Sequence, residues 1–480
     1  MAEYLEKSLQ SFRSCFFKER AFRWFVLVIL MFILREDHLG VTSTIRALSL
    51  NHGCYDTLIH FFHSSAYQTQ MVRLAWYRFV RDSANFLLAD GRTILIGDGV
   101  KQSKEARYMP GVKKLHQESE DSSKGEYIFG HMFGAIGVLI GTKQHHLCLP
   151  LHMSIQDGLR DAAGWENSGI SAESHVVQII RNAYDAARTL GRSFLILDRY
   201  FLTVPAISAM NELNSSDGGN RIAIITKAKR NVIAYRQPIP TLRKTRGRPR
   251  KKGTPIKLND LFDSKKSHFE TEVMYLYGRK RTVRHMYLDL LWGTKLYQEL
   301  RFVLVEYEDD GGPKRGILVC TEKYAPNLII TLYAYRFSIE EFFREFKQRF
   351  GGFGYHFWTK SIAKLNHFKK KDEPDRLSHV KDPAAQKKIL NTVDAIERFV
   401  LFAEIAMGLV QLMTYRIRDV RKIQDFRYVR TQRDGYIPEA TLLYYLRHTF
   451  LGSLLSKPES FLTRYISALQ AHYSDEDLVS

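Results

Sequence analysis

The sequence predicts an α/β core, a mixed sheet with helices, interrupted by a β-rich insertion and flanked by helical N- and C-terminal regions. Three observations predict it. Helical spacing of apolar residues gives way at residue 93 to short apolar runs. A strand, helix, strand succession spans residues 194–226, which makes part of the sheet parallel. A strand-rich stretch then separates this region from a helical tail that begins at Ser338.

Residues 1–90 read as a helical N-terminal DNA-binding domain. Phe25, Ile29 and Phe32 follow helical spacing, and the apolar run 24–34 is too short for a bilayer, which needs about 20 residues. A buried helix is expected there. Glu3, Glu6 and Glu19 precede that run without a small-residue cleavage site after it, so a secretory signal is not expected. Thr42 or Ser43 offers a cap for one short helix and Asp56 for a second, around a turn at Asn51, His52 and Gly53. The pair resembles a helix-turn-helix in outline, an outline any helical bundle produces.

The core is expected over residues 91–226 and 331–370. The run Thr93-Ile94-Leu95-Ile96-Gly97-Asp98 ends in an acid, and Asp90-Gly91 before it reads as a turn. Residues 128–140 and 146–153 are further strands, with residues 101–125 irregular between them. Residues 171–190 form an amphipathic helix with Val176, Ile180, Ala183 and Ala187 on one face, ended by Gly191. Phe194-Leu195-Ile196-Leu197-Asp198 is a second apolar run ending in an acid; a helix at 204–213 and a strand at 221–226 follow.

Residues 227–330 are the β-rich insertion, with strands at 272–277, 283–291, 300–307 and 316–321. Its first part, 227–257, holds twelve Lys or Arg and no acid. Residues 371–480 form a helical C-terminal region, with long apolar helices at 395–415 and 441–455. No internal repeat is visible.

The chain's 480 residues suggest about three domains. Hydrophobic residues make up 45%, which excludes a disordered protein. The net charge of +20 points to a polyanionic partner, with nucleic acid leading. Cys15, Cys54, Cys148 and Cys320 are scattered, so neither a disulfide framework nor a zinc site is expected, and a reducing cytoplasmic setting without a membrane fits.

Two strand-end aspartates, Asp98 and Asp198, could each be a ligand or a cap. Together they could converge on a divalent metal, because Mg²⁺ prefers carboxylate oxygen. Farther on, Ser338 with Glu341 reads as a capping box. On the helix it opens, Glu340, Arg344 and Lys347 share one face, while Ile339, Phe342, Phe343 and Phe346 supply a buried face. Ordinary surface ion pairs would give the same spacing.

Tyr333, Arg336, Glu340 and Lys347 match Y-x2-R-x3-E-x6-K. With two aspartates upstream in order, residues 90–360 resemble the insertion-sequence DDE transposases that carry this YREK signature. The resemblance implies a ribonuclease H-like fold in which Asp98, Asp198 and Glu340 hold two Mg²⁺ ions, with Mn²⁺ as a substitute. Asp98 would bridge both ions, and Asp198 and Glu340 would each hold one. It implies phosphodiester hydrolysis at transposon ends and strand transfer into target DNA through a hairpin intermediate. Tyr333, Arg336, Arg344 and Lys347 would contact the cut strand. Transposon-end and target double-stranded DNA are the implied partners, with a homodimer in the synaptic complex and a nucleoid-associated location. A metal nuclease of the same fold that does not join strands, or a catalytically dead DNA-binding relative, is the alternative.

Glu341 points about 100° away from Glu340 around a helix, and Glu345 also misses that face. The family holds a flipped base with an aromatic just before the last insertion strand; here Lys314-Arg315-Gly316 stands there, and Trp292, the only insertion tryptophan, is either a substitute or core. The basic loop contains Arg246-Gly247-Arg248-Pro249, which resembles an AT-hook core, a minor-groove reader; a generic phosphate-touching loop fits equally. His131 in its strand is expected to be an ordinary satisfied histidine.

Overall fold

A computed structural model of the chain describes all residues except 118–124, 217, 220, 240–249, 310, 369–373, 433–434 and 471–480. Five helices open it: α1 (Ala2–Gln10), α2 (Glu19–Leu34), α3 (Thr42–Ala47), α4 (Cys54–His63) and α5 (Thr69–Ser83). Then come β1 (Leu88–Ala89), β2 (Arg92–Ser103), β3 (Lys113–His116), β4 (Tyr127–Gly141) and β5 (His146–Ile155). Next, α6 (His175–Leu190), β6 (Ser193–Leu197), α7 (Val204–Ser216) and β7 (Ile222–Lys227) alternate. The insertion holds β8 (Ile233–Tyr235), β9 (Pro255–Lys257), α8 (Leu261–Ser264), β10 (Glu270–Leu276), β11 (Arg279–Trp292), β12 (Gln298–Asp309) and β13 (Gly312–Cys320). The chain continues with α9 (Pro326–Ala334), α10 (Ser338–Gln348), α11 (Pro383–Thr414), α12 (Val420–Phe426), α13 (Glu439–Leu455) and α14 (Phe461–Ser467). The protein is therefore mixed α/β, with a 13-stranded sheet among the described residues.

The chain divides into two compact units. The first comprises Met1–Asn85, Gly99–His175 and Glu341–Ser480; the second comprises Phe86–Asp98 and Val176–Glu340. β2 therefore gives its first half to the second unit and its last residues to the first.

In the first unit the N-terminal helices share a core with α11. Phe25 stacks edge-on to Phe402 at 5.3 Å and Phe32 to Phe399 at 4.9 Å. Buried Arg398 donates to the carbonyls of Phe62 and Ser64 at 2.8 and 2.7 Å. Residues 1–85 thus bury their apolar stripes against the C-terminal helices instead of around a core of their own. Every residue of α2 from Trp24 to Leu34 is buried, as expected. α11 is longer than its apolar run, because Pro383 takes the first turn and the Asp382 side chain accepts from the Ala384 and Ala385 amides. β2 also outlasts its apolar run: it reaches Ser103 through a polar stretch expected to be irregular, since β4 offers a partner. Gly99 lies against Met132 and Gly130 against Gln102, so the two strands are antiparallel.

The second unit builds its sheet on β2, β6 and β7, which run parallel. Asp90 and Gly91, with φ of 48° and 68°, make the two-residue turn that pairs Ala89 with Arg92. α6 ends where expected, with Gly191 at φ 99°. β13 joins β7 antiparallel, and β12 and β11 extend the sheet into the insertion. The insertion core gathers Leu258, Phe262, Leu300, Phe302, Leu304, Ile317 and Val319; Trp292 is partly buried against it, as a packing residue. β10, expected to begin at residue 272, begins at Glu270 and pairs with β11 through a Tyr277–Gly278 turn.

Candidate active site on the parallel strand edge

The parallel strands pair in register. Gly97 of β2 lies opposite Leu197, and Ile196 of β6 lies opposite Ile225 of β7. Extending the first register by one residue sets Asp98 beside Asp198. Extending the second by two sets Asp198 beside Lys227. Asp198 keeps an extended backbone (φ −74°, ψ 169°) as it leaves β6, so the extension is legitimate, and its carbonyl accepts from Thr226 Oγ1 at 2.8 Å. Neighbouring strands lie about 4.8 Å apart, and residues in register on parallel strands point to one face. The carboxyl ends of β6 and β7, with the middle of β2, therefore carry a row: carboxylate, carboxylate, ammonium; Asp98, expected at a strand end, lies inside β2, which runs on to Ser103. Such ends are where α/β sheets place ligands.

The signature segment supplies the rest. Tyr333 lies on α9, Arg336 on a 3₁₀ turn (Tyr335–Phe337), and Glu340 in the first turn of α10. The expected capping box at Ser338 is not formed. Ser338 has helical dihedrals (φ −61°, ψ −23°), whereas an N-cap is extended; the helical run begins earlier, at Pro326 in the first turn of α9. This continuity places Arg336 one turn before Glu340. The Arg336 guanidinium donates to Asp98 Oδ2 at 2.9 Å and to Glu340 Oε1 at 2.7 Å.

Burial opposes the charge of Arg336, but Asp98 and Asp198, with Tyr333 and Glu340, outweigh it and raise its pKa. Tyr333 is held protonated, chiefly by burial and also by the negative charges of Asp198 and Asp98. Lys227 moves the other way. Burial lowers its pKa, Arg199, Arg230 and Arg336 push it in the same direction, and Asp198 opposes them. Within the second unit Arg336 thus feels Asp98, Asp198 and Glu340 together, and Tyr333 and Lys227 both feel Asp198.

The remaining signature residues lie in the first unit. Arg344 is half exposed and sits 3.4 Å from Glu345. Lys347 donates to the carbonyl of Lys101, three residues beyond Asp98 along β2, at 3.3 Å. Ile339, Phe342 and Phe346 are buried and Phe343 partly so, which leaves Glu340 on the outer face. Glu345 turns toward Arg349, and Glu341 points outward. Arg246 and Arg248 lie outside the described residues. His131 is fully buried, with Nδ1 2.7 Å from the Tyr355 hydroxyl and Nε2 2.8 Å from the Pro110 carbonyl, an ordinary satisfied histidine.

Among the described residues no group of three His, Cys, Asp or Glu side chains is placed to hold a metal ion as it stands. The Arg336 guanidinium lies between two of the three carboxylates, Asp98 and Glu340. It stands in for a cation at oxygen donors of the type that hard divalent ions prefer, so the donor set fits such an ion.

Lys227 is the site residue that sequence reasoning passed over. It closes a third apolar run, Ile222-Ala223-Ile224-Ile225-Thr226, and was absorbed into the long basic stretch; a charged residue ending that run was the available signal. The chain matches no known protein-family model, and no curated protein matches it significantly. Among the described residues no helix is long and apolar enough to cross a membrane.

Proposed function

We propose that the chain is a DDE-type transposase, a metal-dependent nuclease and polynucleotidyl transferase with a ribonuclease H-like core. One observation carries the reading: a single guanidinium bonded to Asp98 and Glu340, on a strand edge where Asp98 and Asp198 stand in register. The order along the chain agrees with the layout of the YREK branch, two aspartates, a strand-rich insertion and then a glutamate.

In this reading Asp98, Asp198 and Glu340 hold Mg²⁺. When bound, the ion stabilises charge on the attacking and leaving oxygens of an in-line displacement at phosphorus. The chain's own residues do the rest. Arg336, once it leaves the carboxylates, presents a planar fork suited to bidentate contact with a phosphate. Lys227 places positive charge beside Asp198, where charge develops on the transferring group. Buried Tyr333 keeps its proton and serves as a hydrogen-bond donor to the strand. The DNA partner, the homodimer in synapsis, the hairpin route and the nucleoid-associated location belong to the same proposal.

The test uses labelled DNA from the flanks of the coding sequence, with Mg²⁺, Mn²⁺ or EDTA. Asp98→Asn, Asp198→Asn and Glu340→Gln should each lower cleavage by orders of magnitude while gel-shift binding survives, because phosphate contacts dominate affinity. Glu341→Gln and Glu345→Gln should stay near wild type. If all five variants cut normally, the reading fails. Pre-cut ends offered with a target plasmid separate a transposase, which joins them, from a nuclease, which does not.

A further inference from the structure

The edge of a sheet is a row of backbone donors and acceptors, and a protein that stays unpaired there blocks it. This chain blocks several of its edges. Along the outer edge of β5, side chains of neighbouring helices take the place of a strand: Trp76 Nε1 donates to the Pro150 carbonyl at 2.9 Å, and Glu397 accepts from the Ile155 amide at 3.1 Å. β3 opens on two lysines and β9 on a proline. β10 has neither lysine nor proline, and among the described residues β11 is the only strand with which it pairs.

The register fixes which groups β10 leaves outside. Its turn at Tyr277 and Gly278 closes on the pair Leu276 and Arg279, and the closing pair of a two-residue hairpin exchanges both hydrogen bonds. Alternation gives Met274, Glu272 and Glu270 to β11 in the same way. It turns the amides and carbonyls of Thr271, Val273 and Tyr275 away from β11. The side chains of these three residues are exposed as well, Val273 to 67% and Tyr275 to 63%. All three favour strands, so the edge offers both the backbone groups and the side chains that another strand needs.

We propose that β10 is a docking edge for a second copy of this chain, which adds its own β10 antiparallel across a two-fold axis at Val273. This register sets Val273 against Val273 of the second copy and Thr271 against its Tyr275, so outward groups meet outward groups. Charge selects the direction. Antiparallel docking puts Glu270 of the second copy opposite Leu276, with exposed Arg279 next along the row on β11. Parallel docking would set Glu270 and Glu272 beside their own equivalents, and like charges directly opposite destabilise a pair. An interface of this symmetry closes on itself and stops at a dimer. The dimer forms without DNA and does not rest on the metal chemistry proposed above.

The experiment follows the mass of the full chain by sedimentation velocity across a hundredfold concentration range, in EDTA, after nuclease has removed nucleic acid. The wild type should pass from monomer to dimer as concentration rises. Val273→Pro removes an outward amide and leaves the β11 ladder intact, and Tyr275→Lys puts a charge on the edge. Each change counts twice across the two-fold axis and should weaken the dimer by about tenfold or more. Thermal melting separates loss of fold from loss of dimer, and Tyr275→Lys, at an exposed side chain, decides if Val273→Pro does not fold. Val273→Cys reads the register. Residues opposite in a hydrogen-bonded pair have Cα atoms about 5.5 Å apart, within disulfide reach, so this variant should cross-link to its own copy under mild oxidation. Thr271→Cys should not, because its equivalent lies four residues along the strand, about 13 Å away. The proposal is overturned by a chain that stays monomeric throughout, by a dimer that neither Val273→Pro nor Tyr275→Lys weakens, or by cross-linking of Val273→Cys no greater than that of Thr271→Cys. DNA cleavage plays no part in these readouts, so this proposal and the transposase reading fail separately.

Discussion

Arg336 gives the sharpest prediction. Its guanidinium bonds Asp98 at 2.9 Å and Glu340 at 2.7 Å, with side-chain exposures of 20% for Arg336, 23% for Asp98 and 46% for Glu340. A hydrogen bond to a charged partner contributes about 1.5–3 kcal/mol, and the Asp98 arm is shielded enough to fall in that range. The Glu340 arm is nearly half exposed, and solvent screening reduces it to about 0–1 kcal/mol. Arg336→Ala should therefore destabilise the metal-free protein by about 1.5–4 kcal/mol near neutral pH. In the proposed reading a divalent cation displaces the guanidinium in wild type and meets no such competitor in the variant. Mg²⁺ should accordingly bind the variant more tightly, by about tenfold for each 1.4 kcal/mol of competition removed. Urea denaturation in EDTA measures the first effect, and the melting-temperature rise across a Mg²⁺ titration measures the second. A cycle with Asp98→Asn isolates the pair, with an expected coupling of about 1.5–3 kcal/mol. The reasoning is refuted if Arg336→Ala is as stable as wild type without metal, or if Mg²⁺ stabilises it less than it stabilises wild type.

Other perturbations test the surrounding structure. Glu404 is fully buried on α11, and burial pushes its carboxyl up to about 8. The folded chain thus holds a proton there that the unfolded chain gives up near 4.5, so the stability it contributes is complete below that pH and is lost as pH rises through about 8; Glu404→Gln should flatten this decline in denaturation curves taken from pH 5 to 9. A Cβ on Gly408 would collide with the ring of fully buried Trp76, and Gly408→Ala should cost about 1–3 kcal/mol by overpacking, read as a lowered urea midpoint at constant m. Arg92, only 2% exposed, forms a two-armed pair with Glu322 at 3.2 and 2.8 Å. Arg92→Met leaves that acid without its partner and should cost about 3–5 kcal/mol, whereas Arg92→Met/Glu322→Gln should recover much of the loss; no recovery would mean that Arg92 acts through packing on Phe194 and Tyr324 instead.

Local chemistry made much of the fold legible. The apolar runs ending at Asp98 and Asp198 became β2 and β6 because β-branched and aliphatic residues buried on both faces suit a parallel sheet. Asp90-Gly91 could be read as a turn because both residues tolerate positive φ. Gly191 could be read as a helix end for the same reason. The buried α2 was visible as an apolar run too short to be a membrane span. The polar end of β2, by contrast, carries no strand signal. It is a strand because β4 satisfies its backbone groups, and that partner lies 30 residues away in sequence.

For the site, the residue types and their order along the chain came from the sequence alone: two acids closing apolar runs, and a Tyr, Arg, Glu, Lys signature on helical spacing. Tertiary structure decided everything that depends on register and reach. Spacing along one chain says nothing about the pairing of two strands, so the row of Asp98, Asp198 and Lys227 emerged only from the parallel pairing of β2, β6 and β7. Arg336 could be assigned to DNA phosphates from its signature, yet in the folded chain it holds Asp98 and Glu340. Ser338 looked like a helix start because its neighbours satisfy a capping pattern, but α9 runs into that position and leaves no free amides to cap. The physical reason is common to all three: hydrogen-bonding pattern and charge are properties of residue types, whereas which groups meet is set by long-range packing that brings residue 336 against residue 98.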